Sequence, residues 1–241
     1  DTVVAIDPHY ATYPSTVRGA GGIFTTAVAH SEDGFQPQRA ALETATQGAR
    51  ALMVNSPNNP TGAVYTRETM NMIADVCIKN DLWLISDEVY ATQVHVGEHI
   101  SPRDLPDMAE RTIIIGSFSK SHLMTGFRIG WIVAPENVID ALLSMANATT
   151  YGTPQFIQDA ALKALQLGGS DKVSALYKQR RDLAVFAFAD APISLVAPQG
   201  AMYVMVDIRP TGLSGDEFAN QLLDAQGIAV MPGESFGAGH N

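Results

Sequence analysis

The stretch SFSKSHLMTGFRIG, residues 117–130, sets a lysine beside two hydroxyls and an arginine eight residues further on, directly after the apolar run TIIIGS (112–117). A lysine amine attacks a carbonyl to form a Schiff base. Serine hydroxyls and the planar fork of an arginine hold a phosphate through charge-assisted hydrogen bonds. Lys120, Ser117, Ser119 and Arg128 together therefore suit a phosphorylated aldehyde. The plainer alternative is a buried strand followed by a polar loop in which a lysine happens to sit. What decides between them is the company this stretch keeps.

Outward from it, short β-rich runs alternate with helical patterns. VVAID (3–7), FTTAVA (24–29), ALMVN (51–55), LWLIS (82–86), TIIIGS and IGWIVA (129–134) read as strands. The clearest helix is 66–80, where Thr66 suits the N-cap, Glu68 the first turn, and Ile73, Val76 and Cys77 fall on one face. Near-continuously apolar strands in such alternation predict an α/β fold with a mostly parallel sheet covered on both faces. Helical patterns dominate 136–189, with Arg180 and Arg181 on what reads as a solvated face. Strand candidates ISLVA (193–197) and MYVMVDI (202–208), a helix at 214–226 and a last strand IAVM (228–231) then suggest a smaller α+β unit. The expected division is a large domain over 1–170 and a small one over 171–241, with the boundary near 168–172 at LGGSD.

With 241 residues and 46% hydrophobic composition, the chain can bury a large core. A net charge of −10 argues against a nucleic-acid partner. No apolar stretch approaches the roughly 20 residues that cross a bilayer, and DTVVAIDPHY (1–10) lacks the pattern of a signal peptide, so a cytoplasmic location without membrane attachment is the expectation. The six histidines show no close ligand spacing and the single cysteine, Cys77, reads as core, so no metal site is expected. GAGG (19–22) precedes an apolar run and reads as a turn.

In an open parallel sheet, ligands collect at the C-terminal ends of the strands. VVAID leads to Pro8, His9 and Tyr10, ALMVN to SPNNPTG (56–62), LWLIS to DEVY (87–90), and TIIIG to SFSK. These supply an aromatic ring, an amide, a carboxylate with a phenol, and the lysine with its phosphate ligands. Pyridoxal 5'-phosphate asks for that set. Asp87 suits the pyridine nitrogen, keeping it protonated and the ring an electron sink; a helix N-cap is its plainer role, and Glu88 reads as its solvated neighbour. Tyr90 suits a hydrogen bond to the ring's phenolate oxygen, with a core tyrosine as its plainer reading. Asn59 suits the same oxygen and a substrate carboxylate, against simple turn chemistry.

SFSKSHLMTGFRIG, SPNNPTG, SDEVY (86–90), DPHYATYP (7–14) and VMPGESFG (230–237) resemble the motifs of class I/II aminotransferases of fold type I, and the resemblance covers essentially the whole chain. It implies Lys120, Asp87 and Tyr90 as catalytic residues, and Tyr10, Asn59, Asp87, Tyr90, Ser117, Ser119, Lys120 and Arg128 around the cofactor. Tyr10 takes the position of the ring that stacks on the cofactor. The resemblance also implies a cis Asn59–Pro60 bond, a homodimer, and a contact from Tyr151 toward the neighbouring active site. DLWLISDEVY (81–90), LPDMAERT (105–112), YGTPQFIQDAA (151–161) and VMVDIRPTGLS (204–214) resemble one branch, which implies arginine or another basic amino acid as donor and a 2-oxo acid such as pyruvate as acceptor, in a ping-pong reaction. A lyase or decarboxylase on the same fold would share every motif. So would a catalytically silent form, while a Rossmann-type enzyme lacks its glycine turn here. The resemblance finds no Gly-rich phosphate turn near the start and no carboxylate-gripping arginine before the end at GHN (239–241), so an internal fragment of a longer enzyme is the expectation.

Overall fold

The computed structural model describes residues 1–237, and the chain end at GHN lies outside the described residues. The six strands expected in the first half form one sheet in the order β2-β1-β3-β4-β5-β6. They are β1 (Thr2–Asp7), β2 (Ile23–Val28), β3 (Ala51–Asn55), β4 (Trp83–Asp87), β5 (Thr112–Ser117) and β6 (Gly130–Val133). The first five run parallel, and β6 closes the edge antiparallel to β5.

Helices α1 (Tyr13–Gly19), α2 (Arg39–Ala45) and α3 (Arg67–Lys79) connect the early strands. In α3 the Thr66 hydroxyl accepts from the Thr69 N–H at 3.1 Å, and Ile73, Val76 and Cys77 are fully buried against the sheet with Val4, Leu52 and Leu84. Fully burying an aliphatic side chain of this size contributes about 1.5–3 kcal/mol. Burial raises the Cys77 thiol pKa to about 12, which suits a core residue and not a nucleophile. Short α4 (Phe118–Ser121) follows β5, and the long helices α5 (Glu136–Thr149), α6 (Gln155–Leu167) and α7 (Ser170–Phe188) come next. A second cluster, Phe118 and Met124 with Ala161, packs the lysine-bearing turn on α6.

The last third departs from expectation. The two strand candidates shrink to β7 (Ser194–Leu195) and β8 (Val206–Asp207), paired only with each other. IAVM forms no strand: Ile228, Val230 and Met231 are exposed and have no ladder neighbour among the described residues. The helix expected at 214–226 is α8 (Gly215–Gln226), opened by a capping box in which Ser214 and Glu217 satisfy each other's backbone N–H groups. Arg181 is not solvated, because its Nε donates to Pro198 O at 2.9 Å and its guanidinium pairs with Asp182. That bond ties α7 to the turn before Tyr203, whereas Arg180 lies over the Tyr177 ring.

Candidate active site

β3, β4 and β5 end side by side, with Asn55 in register with Asp87 and Asp87 with Ile115. The loops leaving these ends therefore start from one edge of the sheet. Asn55 stitches two of them: its Nδ2 donates to Asp87 O at 2.9 Å and its Oδ1 accepts from Asn59 N at 2.7 Å. In the SPNNPTG turn, Asn58 Oδ1 accepts from Thr61 N and Oγ1. Ser56–Pro57 and Asn59–Pro60 are both cis, as is Asp7–Pro8, and only Asn59–Pro60 was expected to be. Asn59 is buried and its Oδ1 has no partner.

Asp87 is not a helix cap. Its Oδ2 accepts from the Tyr13 hydroxyl at 2.6 Å and its Oδ1 from Val89 N at 3.2 Å. Burial raises the carboxyl pKa above the ordinary range, and the Tyr13 hydrogen bond partly opposes that rise. Burial and the neighbouring Asp87 charge push the Tyr13 phenol well up. Glu88 is likewise not solvated: it accepts from Ser86 and Ser101 hydroxyls and meets His99 Nε2 at 3.0 Å. This network ties the turn after β4 to the 99–101 segment. Tyr90 is buried, its phenol pKa raised chiefly by burial, and its oxygen lies 2.5 Å from that of Tyr203.

The spacing of the lysine motif has a structural cause. β5 pairs with β6 so that Ser117 faces Gly130, and the chain between them folds back, returning Arg128 next to the strand end that carries Ser117. Gly116 and Gly130 allow the approach, since a Cβ on Gly116 would fall 2.1 Å from the Trp131 ring. Ser117 caps α4 by accepting from Ser119 N at 3.0 Å, and Lys120 sits in that single turn. Gln93 Nε2 fixes the Lys120 carbonyl at 3.1 Å. Arg128 has a positive φ of 51° and holds Thr125 O at 2.9 Å, with the rest of its fork exposed. Tyr10 is half-exposed at the end of β1 with its ring edge-on to Tyr13, and Tyr151 is 92% exposed.

The structure thus gathers Lys120, Ser117, Ser119, Arg128, Asp87, Tyr90, Asn59 and Tyr10 at the C-terminal edge of one sheet. Tyr13, Tyr203, Gln93 and Asn55 were not singled out in the sequence. Tyr13 alone carried a signal, as an aromatic beside the DPHY strand end.

The model of the family described as aminotransferase class I and II matches residues 1–241. The chain belongs to this family. It is 44% identical over 247 residues to the arginine–pyruvate transaminase of Pseudomonas aeruginosa, covering 100% of this chain and 63% of that enzyme. It is 36% identical over 247 residues to the aspartate/prephenate aminotransferase of Thermus thermophilus, with the same coverage of 100% and 63%. Among solved structures it superposes on the aromatic aminotransferase of Pyrococcus horikoshii with a TM-score of 0.95 at 36% identity, over 99% of this chain and 66% of that one. The chain therefore spans a little under two thirds of the length of these relatives.

Aminotransferases of this family depend on pyridoxal 5'-phosphate, and the site's donor set fits that group. The half-buried Asp87 carboxylate suits a protonated ring nitrogen, and the Tyr90 phenol suits the ring oxygen. Asn59 is a buried amide whose Oδ1 has no partner among the described residues, and its Nδ2 is the atom that can donate to an anionic ring oxygen.

Proposed function

We propose that this chain is the cofactor-holding part of an aminotransferase that moves an amino group from an amino acid to a 2-oxo acid. The observation that supports this most is the convergence of Lys120 and the half-buried, hydrogen-bonded Asp87–Tyr13 pair at one sheet edge. Pyridoxal 5'-phosphate, when bound, supplies an aldehyde carbon for an amine and an electron-withdrawing ring. Lys120 Nζ would be the amine that holds that carbon and the base that moves a proton at the substrate Cα. Asp87 holds a proton at the ring nitrogen, and Tyr13 keeps the carboxylate oriented through its 2.6 Å hydrogen bond. Ser117, Ser119 and Arg128 hold the phosphate. Tyr90 and Asn59 serve the ring oxygen, with Asn59 also placed for a substrate carboxylate, and Tyr10 packs on the ring face.

Arginine as donor and pyruvate as acceptor are the substrates we favour, because the Pseudomonas relative carries them in its name. The same proposal includes a homodimer with Tyr151 reaching toward the partner's site, a cytoplasmic location, and a division into residues 1–170 and 171–241. Among the described residues no helix is long and apolar enough to cross a membrane. The test is alanine formation from pyruvate with each amino acid as donor in turn, by the protein as encoded. Arginine is expected to lead, with Lys120→Ala inactive. Release of ammonia or carbon dioxide without an oxo-acid requirement would replace transfer by elimination or decarboxylation.

A further inference from the structure

The Tyr90 and Tyr203 hydroxyls lie 2.5 Å apart with their rings edge-on at 5.6 Å. Neither phenol makes another hydrogen bond among the described residues. Two phenols carry two protons, and one bond between them uses one. The other O–H is unspent, and on the Tyr90 side it is buried.

The segment that delivers Tyr203 is held with unusual care. Gln199 O accepts from His95 N and Val96 N, Ala201 N donates to Gln93 O, and Ala201 O accepts from His95 Nε2. Gln199 N and Gly200 N both donate to Gly62 O, so the same segment is bonded to the SPNNPTG turn. At Gly200 a Cβ would lie 2.8 Å from Gln93 O and from the Pro57 ring, so only glycine permits this approach. Ala201 is fully buried with a left-handed φ of 57°, a conformation a non-glycine residue holds only when its surroundings impose it. Strain of that kind, two residues before Tyr203 and against both site loops, serves placement of the tyrosine.

We propose that Tyr203 is a positioning residue: it donates its hydrogen bond to the Tyr90 oxygen and so leaves the Tyr90 proton free for the cofactor's ring oxygen. The inference rests on the proposed function, since it assigns Tyr90 to that oxygen. An anionic acceptor beside Tyr90 selects this direction of the pair, and donation into Tyr90 makes its own O–H the stronger donor. Tyr203 thereby tunes the protonation of the bound cofactor without touching it.

The experiment is a pH titration of the visible absorbance of the cofactor-loaded protein, for the parent, Tyr203→Phe, Tyr90→Phe and the double variant, with thermal melts alongside. Tyr203→Phe keeps the ring and removes one oxygen. Its titration midpoint is expected to rise by about 0.1–0.7 pH unit, which is what roughly 10–30% of a hydrogen bond to a charged oxygen amounts to. Tyr90→Phe is expected to raise it further, and adding Tyr203→Phe to Tyr90→Phe to change nothing more. Tyr203→Gln, which keeps an uncharged donor, is expected to return the midpoint toward the parent's. An unchanged midpoint in Tyr203→Phe, an equal shift in the Tyr90→Phe background, or a Gln variant that behaves like Phe overturns the assignment. Borohydride reduction separates this failure from that of the wider reading. Label on Lys120 with no Tyr203 effect sinks the positioning role alone, whereas absence of label on the parent's Lys120 sinks both.

Discussion

The role proposed for Asp87 needs a charged carboxylate, and its surroundings make that charge costly. Burial raises the Asp87 pKa, while the Tyr13 hydroxyl and Val89 N–H work the other way. A raised folded-state pKa means that the folded protein binds this proton more tightly than the unfolded chain, for which an aspartyl carboxyl has a pKa of about 3.9. Stability is therefore lost as pH rises from about that value through the folded pKa, and the loss is complete above it. In the cofactor-free protein, Asp87→Asn is expected to gain on the parent across that window and to stay ahead at neutral pH, by urea unfolding at a series of pH values. A parent that gains on the variant with rising pH would show that the carboxylate is stabilised by its site. At this scale the motif residues were legible because Ser117, Ser119, Lys120 and Arg128 lie within one turn and one strand pairing of each other. Tyr13 meets Asp87 across 74 positions and Tyr203 meets Tyr90 across 113, and no local pattern announces such pairs. Glu88 departs from its expected solvated setting for the same reason, since two of its partners, His99 and Ser101, lie on a later segment.

Elements with their own start signals were readable, and elements that depend on a partner were not. The α3 helix carries its cap and its buried stripe in consecutive sequence, so its expected and observed limits differ by one residue at each end. Ile73 is completely buried between this helix and the sheet. Ile73→Ala is expected to cost about 2–5 kcal/mol in denaturant unfolding, through lost transfer energy and the cavity left behind. A cost under about 1 kcal/mol would mean that α3 repacks freely. IAVM had the composition of a strand, but a strand needs a neighbour and none of the described residues supplies one. The antiparallel placement of β6 was equally hidden, because an apolar run gives no direction.

At the scale of the molecule, parallel β1, β3, β4 and β5 bring four loops to one edge, and that much followed from alternation alone. The sequence could not show that two later segments return to the same edge. Residues 199–201 bond to the loops after β3 and β4, and Phe236 O accepts from His9 N at 2.9 Å beside the end of β1. The site is thus closed from behind by chain that is remote in sequence and local in space. This edge is proposed to hold pyridoxal 5'-phosphate on Lys120. It is tested most directly by loading the protein with the cofactor, reducing with borohydride and locating the added mass by peptide mapping, with Lys120→Ala as control. Mass on Lys120 alone, and none in the variant, is the expected result. Folded protein that carries the label on another lysine, or on none, would contradict it.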